Sequence, residues 1–486
     1  MSVLSLAFSF LWVTVSLVSH VARAETGFTY YYDVKPTVVA EFSSVEYDFS
    51  GSPWGSAQAA FAANAFISNN NIITGVNHYN GTTFVCVPRW KPGVPSTLNT
   101  LTMVGGKPAL TAWPSWDWQK KFSYVQSVFV DQRKGEIWVI DAGRQNFFSG
   151  NPADVMNGPA SLYIFDINTM VLRDNVTFSN DILPFTSSFL NDIVVDTVSQ
   201  IAYMTDTNIN GDGAIVIWSR ISRVARRFYD PSSTTRKSGY LVNVNGKNYQ
   251  EIQNPVDGIA MSGDGGTLYY ASVDSDIIFA VPTKYLVPGV TDIVTAAYVK
   301  KLTSRSSGGD GLVWLPTSTQ GSIGFGYFPS PALNVIGLDT ATSTAEIAQT
   351  VYGDSTRMQW LDTFALVPKF NLGDVPTIPG FEMSGGSSAG GEYFAGVQGF
   401  TLYFTTNRLQ LWFSGTMQFN QTNMRIMSVN YYGEETQDYE RGKILLAVGW
   451  VLLIGIIAFY VLFFYRFSSG GRVRPSESQF YASGRS

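Results

Sequence analysis

Asp257 to Val273 reads DGIAMSGDGGTLYYASV: an acidic residue and a glycine, a short apolar run, a turn at Gly263-Asp264-Gly265-Gly266, and a second run of aromatic and small residues. Glycine and aspartate supply the backbone conformations that tight turns need, and the few apolar residues on either side have the length of strands. The same order recurs. Val130-Asp131 precedes GEIWVIDAG, Asn191-Asp192 precedes IVVD and QIAYMTDT, and Asp310-Gly311 precedes LVWL and GSIGFGYF. Asp362-Thr363 precedes FALV and, after an interruption, EYFAGVQGFTLYFTTN. Five such units spaced by about 50 to 65 residues are the pattern of propeller blades. A further strand pair at Ile72–Val76 and Thr83–Val87 precedes them, so the reading is all-β with six blades. Two stacked sandwiches would lack a repeat running the whole length.

Composition agrees. The 486 residues include 45 Gly, 25 Tyr and only 14% charged residues, which suits strands and turns better than helices rich in Glu, Lys and Ala. Lys plus Arg is 32 against 37 Asp plus Glu, so the basic footprint of a nucleic-acid binder is missing. With two histidines, His20 and His78, and one cysteine, Cys86, the chain cannot build an internal disulfide, a CxxC redox pair or a His/Cys zinc site. One imidazole remains if His20 is removed with a leader, which argues against Ser-His-Asp and Cys-His catalysis. Cys86, within the apolar run Thr83 to Val87, reads as a core filler. No cofactor fingerprint is present, and no cofactor is expected.

The ends suggest a compartment. An apolar run from Val3 to Val18 followed by Ala22-Arg23-Ala24 reads as a secretory signal over residues 1–24. Residues 444–465 (ILLAVGWVLLIGIIAFYVLFFY) carry no charge and, as a helix, reach about 33 Å, the thickness of a bilayer core. Arg466, Arg472, Arg474 and Arg485 follow it, so the positive-inside rule places the tail, 466–486, in the cytosol. The expected protein is a single-pass type I membrane protein with an extracellular or lumenal ectodomain at 25–443 and sequons at Asn80, Asn175 and Asn420. The Gly/Ser-rich stretch 380–391 reads as a mobile surface loop, and the tail as disordered.

Several ordered motifs carry a resemblance. VPRWKPGVPSTL (87–98), WPSWDW (113–118), GEIWVIDAG (135–143), the opening stretch with its continuation to Asp276, QWLDT (359–363), TNRLQ (406–410) and NMRI (423–426) resemble, in that order, the major royal jelly protein/Yellow family. The resemblance implies a six-bladed β-propeller. Members of that family usually carry paired cysteines and usually end as soluble proteins, so this chain departs from them in both respects. Some members bind biogenic amines in the central channel, some are associated with dopachrome conversion, and some are abundant secreted proteins.

The site follows from both readings. Aspartates repeated at one point of successive blades, Asp192, Asp257, Asp310 and Asp362, would ring one mouth of the axial channel and attract an ammonium group or a divalent cation; the bland reading is that each caps a turn. The resemblance adds Tyr270, Ser275, Thr363, Asn407 and Leu409 as residues lining an amine pocket, with Leu409 where the binders place an aromatic. The expected partner is a small aromatic amine. The alternatives are an isomerase acting on an oxidised catechol and a structural or adhesive surface protein with no ligand. Asp206 to Asp212 resembles the start of a calcium loop, but Ile217 stands where a bidentate Glu is needed, so it reads as a polar hairpin, and Arg220–Arg227 (RISRVARR) reads as a solvated edge.

Overall fold

The computed structural model describes residues 30–32 and 35–433, apart from 209, 238, 251, 306, 316–321, 340–343, 346–348 and 371–396. The expected signal, the loop at 380–391, the expected membrane span and the tail lie outside the described residues. Among the described residues no helix is long and apolar enough to cross a membrane.

Short runs buried on both faces, separated by Gly and Asx turns, fold here as antiparallel sheets standing around one axis. Blade 1 runs from the inner strand Gly75–Tyr79 through Thr82–Cys86 and Leu98–Val104 to Lys107–Ala112. Blade 2 begins at Val125–Asp131, blade 3 at Leu190–Asp196, blade 4 at Val256–Met261, blade 5 at Leu312–Leu315 and blade 6 at Trp360–Phe370. Each inner strand touches its two neighbours, so the six close a ring. Six blades are what the repeat predicts.

The opening stretch shows why the sequence alternates as it does. Thr267–Ser272 is the second strand of blade 4, and its side chains point alternately to the two neighbouring blades. Leu268 and Tyr270 join Tyr203, Ile215 and Phe228 of blade 3, while Tyr269 and Ala271 join Ile323 and Phe325 of blade 5. Both faces of a blade are therefore buried, and the core is a series of apolar layers between sheets. Cys86 fills one of these, fully buried with Phe84 and Leu98 against blade 2. The turn forms as the residues dictate: Gly265 takes a φ of +69°, and Asp264 Oδ1 accepts the Gly266 N–H at 2.9 Å.

Ring closure uses the N-terminus. Met424–Gly433, the third strand of blade 6, pairs with Val397–Asn407 on one side and with Thr37–Phe42 and Tyr30–Tyr32 on the other. An edge that would stay open is thereby paired by a strand from the far end of the chain.

The arginine segment is a solvated edge only at residues 221–224, and all four of its arginines are paired. Arg220 bonds Glu136 (3.0 Å) and Asp174 (3.1 Å) of blade 2, Arg223 bonds Asp174 (2.8 Å), Arg226 bonds Asp292 (2.9 Å), and Arg227 bonds the buried Asp206. Local sequence could not place Glu136, Asp174 and Asp292, which come from two other blades, while Asp206 is on the second strand of the arginines' own blade.

Along the axis the contacts tighten further. Gly258 and Gly311 open the inner strands of blades 4 and 5, and a Cβ added to either would collide with the carbonyl oxygen of Asp310 or Asp362 in the next blade. The Gly311 N–H donates to that Asp362 carbonyl at 2.8 Å. Overpacking a site with no room to relax costs about 1 to 3 kcal/mol. Gly311→Ala should lower the stability of the purified chain by at least that amount in chemical denaturation, whereas Gly353→Ala, whose Cβ meets nothing closer than 3.5 Å, should leave it nearly unchanged.

Candidate functional site

Four of the six inner strands carry a register shift near their start, at Val125/Val128, Leu190/Ile193, Val256/Ile259 and Leu361/Phe364. A bulge re-aims the side chain it contains. Here it turns one polar residue per blade toward the axis: Gln126, Asn191, Asp257 and Asp362, with Asp310 entering just before the strand of blade 5. These five line a small chamber of about 10 Å³, room for about one water molecule.

Neutral donors hold the three carboxyls. Asn191 Nδ2 donates to Asp257 Oδ2 at 2.6 Å, Trp360 Nε1 to Asp310 Oδ2 at 2.6 Å, and Asn407 Nδ2 to Asp362 Oδ2 at 2.9 Å. Asp310 stands beside Asp257, and its charge disfavours ionisation of that carboxyl. Burial, reinforced by the neighbouring carboxylates, pushes Asp257 and Asp362 well above the usual carboxylate range, and burial moves Asp310 up to about 7. Gln126 Oε1 is buried without a hydrogen-bond partner. Among the described residues no three His, Cys, Asp or Glu side chains form a group able to hold a metal ion. The chamber is acidic and its hydrogen-bond donors are neutral, with the buried guanidinium of Arg305 the cation that tempers the rise at Asp310.

Its roof is aromatic. Trp90, Phe189, Leu409 and Phe413 close it, with Trp90 stacked on Phe413 at 5.8 Å and set edge-on to Phe189 at 6.0 Å. Trp90 belongs to the VPRWKPG segment, which is organised by Arg89: its buried guanidinium donates to the carbonyls of Val94, Pro95, Gln119, Phe122 and Ser123. Phe413 ends the helical turn Leu409–Phe413. Beyond the roof lies a cleft of about 430 Å³ lined by Phe148, Phe189, Phe413, Asn208, Arg236 and Gln253, among others. Phe189, Phe413 and Asn254 border both spaces, so two rings and one amide separate the cleft from the carboxyls.

The expected residues divide. Asp257, Asp310 and Asp362 converge. Asp192 does not join them, because Asn191 holds the equivalent position in blade 3 and Asp192, one residue further along, lines a different cavity. Leu409 is part of the roof. Asn407 reaches Asp362, but it also donates to Ile73 O at 3.0 Å in blade 1 and accepts the Leu409 N–H at 2.9 Å, so it serves the closing seam as well. Its Oδ1 repeats the role of Asp141 and Asp206, which accept the N–H groups of Gly143 and Asn208 at the same point of blades 2 and 3. Thr363 sits in the bulge, its N–H bonded to Thr405 Oγ1 at 3.2 Å. Tyr270 lies away from the axis in the layer between blades 3 and 4, its hydroxyl bonded to Ser233 at 2.8 Å. Ser275 belongs to a turn that Arg305 grips through its carbonyl. In the polar hairpin, the Asp206 carboxylate is taken up by the Phe189 N–H and Arg227, leaving it no part in a calcium loop.

Gln126 and Asn191 escaped the sequence reading, though a signal existed. Gln126 precedes Asp141, Asn191 precedes Asp206 and Asp257 precedes Ser272 by the same interval, which an alignment on strand ends rather than on acids would have shown.

A model of the major royal jelly protein family matches residues 124–436. Major royal jelly protein 5 of Apis mellifera is 26% identical over 343 residues, covering 65% of this chain and 53% of that protein. Major royal jelly protein 9 of the same organism is 22% identical over 393 residues, 76% of this chain and 82% of that one. Protein yellow of Drosophila guanche is 30% identical over 256 residues, 47% and 42%. The chain thus spans about half the length of royal jelly protein 5.

The carboxyls also predict a pH dependence. A carboxyl raised in the folded state binds its proton more tightly there than in the unfolded chain, so its contribution to stability is complete below about pH 4 and is lost as pH rises through its folded value. With Asp192 at about 6 and Asp310 at about 7, that loss falls between pH 4 and 7. At about 1.4 kcal/mol per pK unit the effect is on the order of a few kcal/mol. The thermal midpoint should drop between pH 5 and pH 8, and Asp310→Asn should flatten the drop; an unchanged slope in that variant would contradict the placement.

Proposed function

The chain belongs to the major royal jelly protein family, and from that premise we propose that its propeller is a binding protein for a small aromatic amine. One observation carries the reading: three buried carboxyls, Asp257, Asp310 and Asp362, face one chamber and take their side-chain hydrogen bonds from neutral donors, beneath a roof of aromatic rings. An ammonium group would replace a proton that burial holds on these carboxyls and supply the missing counter-charge, and the ring would pass between Phe189 and Phe413 into the cleft outside. Entry requires those two rings to turn aside, since the chamber as it stands holds no more than a water.

Titration calorimetry of the purified chain with tryptamine tests this. Binding should release protons, seen as a heat that varies with the ionisation enthalpy of the buffer, and should strengthen from pH 6 to pH 8 as Asp310 gives up its proton. Asp362→Asn, which keeps the shape and removes the charge, should weaken it by about 1.5 to 3 kcal/mol, the range for hydrogen bonds to charged groups. Indole-3-acetate should not bind; equal affinity for the amine and the acid would refute the reading.

A second reading rests on Asp310 alone. A buried carboxyl moved to about 7 is matched to proton abstraction at neutral pH, as tautomerisation of an oxidised catechol would need. Dopachrome decay that the chain accelerates, and Asp310→Asn does not, would favour it over binding.

The proposed setting is a single-pass membrane protein with the propeller outside the cytosol. Asn80 at a hairpin tip, Asn175 on the outer strand of blade 2 and Asn420 are all exposed, as glycan attachment requires. Expressed in secretory cells, the chain should lose mass on endoglycosidase treatment, and external protease should reach the body while a C-terminal tag stays protected.

A further inference from the structure

Past the carboxyl ring the axis opens again. The inner strands enter the acidic chamber with their first residues, and their later residues line a separate cavity of about 150 Å³ at the other end of the channel. Its wall is mixed, and the apolar part comes from five blades: Phe129, Val194, Met261, Trp314, Phe364 and Leu366, each half-buried. None of the residues lining it is basic.

The inner end of this cavity is polar at one point. Asp192, partly exposed to the cavity, accepts from Ser127 Oγ at 2.8 Å and from the Ile193 N–H at 2.9 Å, with a further backbone donor in Ile259 of the next blade. All three donors are neutral. Asn77, also at this end, has its amide turned to Val128 O at 3.1 Å. Asp196, nearer the rim, is occupied by the N–H groups of Val198 and Ser199 and by the Ser199 hydroxyl. The cavity therefore offers one carboxylate with no cation among its hydrogen-bond partners, beside apolar side chains from five blades. A cavity of this volume has room for a benzene ring.

We propose that this opposite mouth is a second binding site, taking a compact apolar cation: one ring, or a branched hydrocarbon of that size, bearing a single ammonium group that bonds Asp192. The shape and the charge are both needed. A larger ring system would not fit, and a neutral hydrocarbon would leave the carboxylate beside apolar side chains with no counter-charge. This site shares no lining residue with the acidic chamber, so it stands or falls apart from the amine reading of that chamber.

Benzylamine is the probe, titrated into the purified full chain at pH 7.5, with toluene as its uncharged counterpart. We expect saturable binding of benzylamine at this mouth, at least tenfold tighter than toluene. Asp192→Asn retains the acceptor for Ser127 and Ile193 and should weaken benzylamine at least tenfold, with the ligand-free thermal midpoint little changed. Val194→Trp, which fills the well without touching the carboxylate, should do the same and decides the matter if the first variant does not fold. Asp362→Asn, in the other chamber, should leave the affinity within about threefold. Absence of saturable binding, binding that survives both Asp192→Asn and Val194→Trp, or binding lost in Asp362→Asn alone would each overturn the proposal.

Discussion

Six strands from different parts of the chain run side by side along one axis, and the space between them is too small for ordinary side chains at every position. At Gly258 and Gly311 the carbonyl oxygen of the next blade's aspartate occupies the volume a Cβ would need. The same crowding acts at Gly75 against the Gln126 carbonyl. Threonine hydroxyls tie the strands where glycine does not: Thr205 Oγ1 bonds Asp257 O and Thr405 Oγ1 bonds Thr74 O, both at 2.7 Å. Because the carbonyls of Gln126, Asp257, Asp310 and Asp362 belong to residues whose side chains face the chamber, the packing that closes the ring also positions the carboxyls.

The two populations of aspartate in this protein differ in their partners. Asp174 and Asp292 meet arginines of blade 3, and these ion pairs clamp blades 2, 3 and 4 together, while the buried Asp206 meets Arg227 within blade 3. On the axis Asp257, Asp310, Asp362 and Asp192 meet amides, an indole and a hydroxyl. Burial without a cation is unfavourable for a carboxylate, and the group responds by holding its proton. Such a set is poised to exchange protons for a cationic ligand, a property that a cluster neutralised by arginine would not have.

Closure without disulfides places the burden on packing and strand pairing. Thr37–Phe42 lies against Met424–Gly433, bringing together segments from nearly opposite ends of the described chain. Asn407 and Thr405 add hydrogen bonds from blade 6 to the backbone of Ile73 and Thr74 in blade 1. The axial site sits at this seam as well as at the others, so ring closure and the geometry of Asp362 are linked through one amide.

Much of this was written locally. Strand-length runs, Gly/Asp turns and a recurring unit determine six blades, because alternation and turn chemistry are properties of neighbouring residues. Asp257, Asp310 and Asp362 could be picked out for the same reason. Register could not. Whether Asn191 or Asp192 faces the acidic chamber depends on a bulge, which is a property of two paired strands, and one residue of slip sends the side chain to the other cavity. Tyr270 looked like an axial aromatic and is an inter-blade one, since alternation in Thr267–Ser272 points it at blade 3. The roof of Trp90, Phe189 and Phe413 joins three loops distant in sequence, and the arginine pairs join three blades. Such contacts exist only once the ring has closed, because only closure sets the distance between segments that share no local signal.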